Sequence, residues 1–468
     1  MIRRARPFLL AALALAAAAC GRASDDEVRV MVIDEEVAQR MLDAALAQGL
    51  VRFDAAGEIE QGLAASWHVS DDARSYIFRL ADAEWRDGEP VAAPDVVRLL
   101  SERIADPRWA DEFGAVADVR AMTDRVIEIR LTAPQQHFLQ LLARPELAIG
   151  TQRAGTGPFT PLPSDGTAGA RIGRLVETPR GDLVEERVLL QTRAPQVAVK
   201  AFGEGEADLV TGGTFATLPY AQDATGPFAA PRFDPVAGLF GLAPLEAEGA
   251  FATPEIRRAL SAAIDRDALV AALGVRSLLP RATVLQAGLD MQVRPRPPAF
   301  VDMPLDERRA LVRDRLDDAG LVGAEIAVEL PSGPGADILF TRLVADWGAV
   351  GLVPVRAAAG TSADFALIDE VAPAASTSWF LRRFTCARAI ACDPAVDTLL
   401  DEARTSTATA RRNELLREAS ARIEEQQLFI PLAAPVRWSL VAPDLTGFAE
   451  NRFARHFVGG LREKRRRR

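Results

Sequence analysis

Three cysteines and three histidines are the chain's whole supply of its most reactive side chains, and the surroundings of each cysteine restrict its chemistry. Cys20 follows Ala18-Ala19 and precedes Gly21. It ends a run that opens with Arg3, Arg4 and Arg6 and continues apolar from Phe8 through Ala19. A basic start, a short apolar stretch and small residues before a cut describe a secretory signal. A bilayer-spanning helix needs about 20 apolar residues, and this stretch is shorter. Ala-Ala-Cys-Gly reads as a bacterial lipobox, where cleavage leaves the cysteine as an acylated N-terminus. An ordinary signal peptide also fits residues 1–19, but it gives Cys20 no role. The expectation is a lipoprotein signal peptide over 1–19, lipidation at Cys20 and a lipid-anchored polar tether over 20–27.

Cys386 and Cys392 have five residues between them. Export would place them in an oxidising compartment, where such a pair can close a small disulfide loop. A metal site is the competing reading, but His68, His137 and His456 all lie far away in sequence. Catalysis would need a nucleophile, acid–base groups and a means of stabilising developing charge. No Gly-x-Ser-x-Gly, His-Glu-x-x-His, Cys-x-x-Cys or phosphate-loop pattern occurs. Gly155-Thr-Gly157-Pro158 lacks the Lys-Ser/Thr ending, and Pro158 removes a backbone donor that a phosphate cradle needs. His68, beside Trp67, reads as a packed or surface histidine. The chain is therefore expected not to be an enzyme and to use no cofactor and no metal.

The net charge is −10, and removal of residues 1–19 takes three more arginines away. An acidic chain has no electrostatic attraction to nucleic acid. Lys464 to Arg468 form a basic run, read as a solvated, disordered tail over 461–468. Only Lys200 and Lys464 are lysines, a bias of genome composition that carries no functional information. At 49% hydrophobic and 26% charged the composition is that of a globular protein, and the length allows two or three domains.

The elements that must position any site alternate between strand and helix. Glu27 to Ile33 is β-branched and alternating, and Val37 to Leu50 has a helical pattern stopped near Gly49. Ser66–Val69 and Ser75–Leu80 flank the turn residues Asp71-Asp72, with Tyr76, Phe78 and Leu80 on one face. Pro94–Ile104 reads as a helix and Arg125–Leu131 as a strand. Arg171–Thr178 and Arg187–Gln191 read as strands, Ala194–Phe202 as a helix, and Ala207–Val210 as a strand entering a Thr211–Phe215 loop. Thr253 to Ile264 is the clearest helix, with Thr253 as N-cap, Pro254 first, and an apolar stripe of Ile256, Ala259, Leu260, Ala263 and Ile264. Glu325–Leu330, Ala336–Val350 and Val353–Val355 form strand–helix–strand, Asp364–Ile368 adds a strand, and Ala408–Gln427 is a second strong helix. An α/β fold with a partly parallel sheet follows.

Gly62-Leu-Ala-Ala-Ser-Trp-His-Val69, Tyr76 to Leu80, and Trp85-Arg-Asp-Gly88 leading to Pro94-Asp-Val96 resemble the early signature of the peptide/nickel family of ABC-transporter solute-binding proteins, family 5. Gly155-Thr-Gly-Pro-Phe159 is similar to its Gly-Thr-Gly-Pro-aromatic turn, Glu255 to Arg266 to its Ala-Leu-x-x-Ala-Ile-Asp-Arg helix, and Ile423 to Leu432 to its late Ile-Pro-Leu element. The resemblance implies a periplasmic-binding-protein-like fold (type II, cluster C): two large lobes joined by a hinge, plus a third, smaller lobe. By landmark, lobe I is discontinuous over 28–35, 155–235 and 441–460, the extra lobe II covers 36–154, and lobe III covers 236–440. The implied function is that of an exported, lipid-anchored protein at the periplasmic or cell-surface face. It would be a monomer that binds a short peptide or other small polar solute in the cleft and hands it to ABC permease and ATPase subunits. A degenerate member serving as an envelope scaffold or an exported hydrolase is the alternative. Strand ends facing such a cleft nominate Asp34, Glu35, Thr214, Phe215, Phe240, Asp369, Glu370, Trp379 and Phe380. Peptide binders of the family carry a Trp-x-x-Asp-type segment that anchors the peptide's amino group. Here Asp369-Glu-Val-Ala-Pro-Ala-Ala-Ser-Thr-Ser-Trp379 departs from it, and Leu239-Phe-Gly-Leu242 lacks the family's usual Asn.

Overall fold

The computed structural model describes residues 27–150, 155–163, 166–178, 180–224, 230–290, 295–358 and 361–463. The signal segment, Cys20 and the arginines of the C-terminal run lie outside the described residues.

Three sheets organise the chain. Glu27–Val32, with Val28, Val30 and Val32 buried, pairs in parallel with Leu183–Thr192 on one side and Leu209–Thr214 on the other. It thus sits inside a seven-stranded sheet ordered Arg232–Phe233, Arg437–Val441, Leu209–Thr214, Glu27–Val32, Leu183–Thr192, Ala170–Glu177, Thr160–Pro161. A five-stranded sheet runs Val353–Arg356, Glu325–Glu329, Phe365–Val371, Gly238–Pro244, Ile430–Pro431. Its parallel pair, Glu325–Glu329 with Val353–Arg356, is joined through the helix Pro334–Gly348, as the sequence pattern requires. The third sheet is antiparallel: Ala64–Val69, Ser75–Leu80, Val126–Leu131, Val116–Thr123. It buries Tyr76, Phe78, Leu80, Ile127 and Ile129 on one face, which is the period-2 pattern read from Ser75–Leu80.

The helix Pro254–Ala263 forms where its signals place it. Thr253 Oγ1 accepts from the Ile256 amide at 3.4 Å, and Ile256, Ala259, Leu260 and Ala263 are buried. The Ile-Asp-Arg that follows is a structural device. Asp265 caps the next helix by accepting from the Ala268 amide at 2.9 Å. Arg266 turns inward and donates to the Ser261 carbonyl (2.8 Å), the Ser261 hydroxyl (2.8 Å) and the Pro431 carbonyl (2.8 Å). Burial draws its guanidinium down to about 9. One buried cation therefore ties this helix to the five-stranded sheet. Trp347, fully buried, packs onto the same helix and donates its indole N–H to the Leu260 carbonyl at 3.1 Å.

Packing moves two expected boundaries. The helix Glu35–Leu46 was expected to open the small lobe at residue 36. Instead it buries Ala38, Met41 and Ala45 in one cluster with Val28, Val30, Val32, Phe159 and Ile172 of the seven-stranded sheet. The small lobe's own core begins at Leu50 and Val51. At the other end, Arg437–Val441 is antiparallel to Leu209–Thr214, so the return to the first lobe precedes the expected residue 441. The segment expected as a loop at Thr211–Phe215 is strand as far as Thr214, with a register shift between Val210 and Gly213.

Gly155-Thr-Gly157-Pro158 owes its glycines to close approach. The Gly157 amide donates to the Leu46 carbonyl at 2.9 Å and the Phe159 amide to the Ala45 carbonyl at 3.1 Å, satisfying groups at the end of the Glu35–Leu46 helix. A Cβ on Gly157 would lie 2.2 Å from the Leu46 carbonyl carbon and 2.3 Å from the Ala45 oxygen. Gly157→Ala is accordingly expected to destabilise the protein by about 1–3 kcal/mol, read as a lower urea midpoint at unchanged slope. An unaltered midpoint would show that this junction relaxes without cost.

Candidate functional site

The chain passes between the two large sheets twice, over residues 234–237 and 432–436. The crossings lie together: the Asp234 amide donates to the Arg437 carbonyl at 3.1 Å, and a Cβ on Gly238 would fall 2.9 Å from the Pro435 ring. Beside them a cavity of about 550 Å³ opens between the sheets and the small lobe, within the range of small-molecule sites.

Of the nine nominated residues, Asp34, Thr214, Asp369, Glu370 and Trp379 line this cavity; Glu35, Phe215, Phe240 and Phe380 do not. Asp34 caps the helix Glu35–Leu46, its carboxylate accepting from the Val37 amide at 2.9 Å, while Glu35 faces solvent. Phe215 and Phe240 are core. Each is 1% exposed, and their rings meet edge to face at 4.8 Å. Trp379 and Phe380 are neighbours on the short helix Thr377–Arg382. Successive helical side chains diverge, so Phe380 is fully buried while Trp379 reaches the wall, their rings perpendicular at 5.1 Å.

Several acids on the wall are already engaged, whereas Glu112 Oε2 is buried with no hydrogen-bond partner among the described residues. Arg437 donates to the Asp369 carboxylate at 2.8 Å and to its carbonyl at 3.0 Å. Burial pushes the Asp369 carboxyl up, and the guanidinium opposes that shift. Glu370 takes Arg383 at 3.0 Å. Asp234 accepts from the Asn451 amide at 2.9 Å and lies 3.1 Å from His456. The strand end at Thr211–Thr214 is shaped by Trp438, whose indole N–H donates to the Thr214 carbonyl at 3.0 Å. A Cβ on Gly213 would fall 2.1 Å from that ring, which explains why Gly-Gly stands here.

Residues that sequence reasoning passed over supply most of the cavity's charged side chains: Glu36, Arg40, Arg52, Glu112, Arg144, Glu146, Asp234, Arg437 and Arg455. Burial alone would raise Glu146, but the Arg455 and Arg144 guanidiniums hold it below its ordinary value. Burial draws Arg455 down to about 10, against the attraction of Glu146. In an arginine-rich chain, composition offered no signal to single these out.

A second set of contacts joins the small lobe to the five-stranded lobe at the rim. Arg382 donates to the Asp111 carbonyl and Arg388 meets the Asp111 carboxylate at 2.7 Å. Arg388 lies in the loop closed by the Cys386–Cys392 disulfide. His137 stands 4.0 Å from Asp290, which also accepts from the Thr377 hydroxyl and amide. No group of three metal-ligating side chains occurs among the described residues, and no helix among them is long and apolar enough to cross a membrane.

Two large lobes joined by paired crossings, a smaller lobe packed on the first and a cavity at their junction define a cluster C solute-binding protein. The sequence profile of bacterial extracellular solute-binding proteins, family 5, matches residues 58–321, and the chain belongs to that family. It is 24% identical to the probable di/tripeptide-binding protein 5 of Pseudomonas aeruginosa, covering 98% of each chain. It is also 33% identical over 138 residues to the probable deoxycholate-binding periplasmic protein YgiS of Escherichia coli K12, a quarter of each chain. Its fold superposes on the Escherichia coli murein tripeptide binding protein MppA with a TM-score of 0.76, at 20% identity, over 94% of this chain and 99% of that one.

The rim pairs span two lobes, so they favour the closed arrangement. Removing the partly exposed Asp111 carboxylate in Asp111→Ala is expected to weaken closure by about 0.5–1 kcal/mol, a two- to fivefold shift of population. Single-molecule distance measurement between the small lobe and residues 395–405 tests this. Equal closed fractions in variant and parent at low salt would remove the latch role from Asp111.

Proposed function

We propose that the protein is the solute-binding component of an ABC importer, anchored by a lipid on Cys20, exported, monomeric and without catalytic turnover. The observation that carries this reading is the cavity of about 550 Å³ at the junction of three lobes in a family 5 chain. Ligand contacts drawn from separate lobes exist together only when those lobes are closed, so affinity and closure are linked. The size of the cavity suits a short peptide or another small polar solute. The Ala18-Ala19-Cys20-Gly21 segment supports the anchor.

Two measurements follow. Native mass spectrometry of the full-length protein, purified gently from an exporting host, is expected to show a dissociable small-molecule mass. Adding that molecule at a hundredfold its dissociation constant should stabilise the fold by about 2.7 kcal/mol. A clean unliganded mass with no stabilising solute would favour the envelope-scaffold alternative. For the anchor, detergent phase partitioning should place the parent in the detergent phase and Cys20→Ala in the aqueous phase; identical partitioning rejects lipidation at this site.

A further inference from the structure

We propose that the hairpin of Ala170–Glu177 and Leu183–Thr192, with the basic run Lys464 to Arg468, docks on the anionic bilayer that holds the protein's own anchor. This rests on the lipid-anchor reading above and adds to it a fixed orientation on the membrane.

Strand register puts the anchor and the hairpin side by side. Glu27 pairs with Arg187 in a parallel ladder, and its carboxylate meets Arg171 at 2.6 Å. Leu183 to Glu186 precede Arg187 in the same strand, so the hairpin overhangs the start of Glu27–Val32 by about 13 Å. Because the two strands are parallel, the overhang points the way the chain runs back toward Cys20. The tether from Cys20 to Glu27 spans at most about 25 Å. That length lets the hairpin tip touch a bilayer in which the anchor sits.

The overhang carries an apolar face open to solvent. Leu175 lies opposite Glu185, and Leu183 lies opposite Glu177. Both leucines are therefore on one face, as diagonal neighbours, and they are 69% and 68% exposed. On the opposite face, nearer the base, Ile172 and Val188 join the core with Val28 and Val30. The turn at the tip is closed by the Thr178 amide donating to the Asp182 carbonyl at 2.8 Å, and Arg180 on it is exposed.

The C-terminal segment arrives at the same place. Arg174 reaches from the hairpin to the Gly459 carbonyl. Glu186 takes Arg174 at 2.7 Å and Arg462 at 2.6 Å. One residue separates Arg462 from Lys464, so the start of the basic run is tied to the hairpin. The hairpin's own charges cancel, Arg171, Arg174, Arg180 and Arg187 against Glu177, Asp182, Glu185 and Glu186. The run then adds five cations beside it. A chain with a net charge of −10 is repelled by anionic headgroups elsewhere on its surface, so this attraction is local and orienting. A lone exposed leucine carries no meaning. Two on one face, on the element nearest the anchor and beside a basic run, suit the headgroup layer of a bilayer.

The test uses the full-length protein from an exporting host, reconstituted in vesicles of phosphatidylethanolamine and phosphatidylglycerol containing a nitroxide-labelled lipid as quencher. A fluorophore is attached at Leu183→Cys or, as control, at Asp314→Cys, an exposed site on the helix Leu305–Asp318 of the other large lobe. Quenching at 183 is expected to exceed that at 314 by about threefold or more. Lys464→Ser combined with Arg465→Ser, Arg466→Ser, Arg467→Ser and Arg468→Ser should lower the signal at 183 by about half or more, as should salt at about 0.5 M. An unchanged melting temperature shows that the fold is intact in each variant. Equal quenching at the two sites overturns the proposal, as does a signal at 183 indifferent to both the basic run and salt. The intact mass of the same sample reports acylation. An acylated protein quenched equally at both sites loses the docking surface and keeps its anchor, whereas an unacylated, unquenched protein defeats both readings.

Discussion

The bond between Arg437 and Asp369 sits where the architecture is most constrained. One partner belongs to the seven-stranded sheet and the other to the five-stranded sheet, beside the two crossings that are the only covalent links between them among the described residues. Both side chains are largely out of water, 16% and 15% exposed. A lone charge in that position is untenable, whereas a doubly hydrogen-bonded pair is acceptable. The pair therefore fixes how closely the two sheets approach at the crossing. It also neutralises the two opposite charges that this wall would otherwise present to the cavity.

Around that pair, close backbone approach does much of the positioning. Gly157 admits the end of the helix Glu35–Leu46, and Gly213 admits the Trp438 ring. Gly335 begins the helix Pro334–Gly348 where a Cβ would fall 1.8 Å from the Phe215 carbonyl oxygen. The last contact brings a helix of the five-stranded lobe onto the short turn that follows Thr214. Phe215 and Phe240 are consequently packing residues that join the lobes, and one continuous apolar cluster runs through both.

Local signals in the sequence were read well where the cause was local. Thr253-Pro254 starts its helix, the alternation of Tyr76, Phe78 and Leu80 marks a half-buried strand, and the strand–helix–strand over 325–356 pairs in parallel. The family landmarks also carried the lobe count. What could not be read depends on contacts remote in sequence. The helix Glu35–Leu46 joins the first lobe because Phe159 and Ile172 complete its core. Whether Phe380 or Trp379 faces the cavity depends on how one helical turn is rotated against the lobe. Arg437 and Asp369 are 68 residues apart, and nothing in either neighbourhood announces the other.

The order of strands in the seven-stranded sheet has a kinetic consequence. Its innermost strand is the first described segment of the chain, while Arg437–Val441, near the other end, lies between Leu209–Thr214 and Arg232–Phe233. Until that late strand is available, Leu209–Thr214 is an open edge, and Arg232–Phe233 has nothing to pair with. Pairings of such large sequence separation form slowly, because loop closure must be met before the contacts reward it. The strand Arg437–Val441 is thus the keystone of the first lobe, and a chain still emerging from the ribosome lacks it. Such a chain cannot complete the first lobe while it is being made.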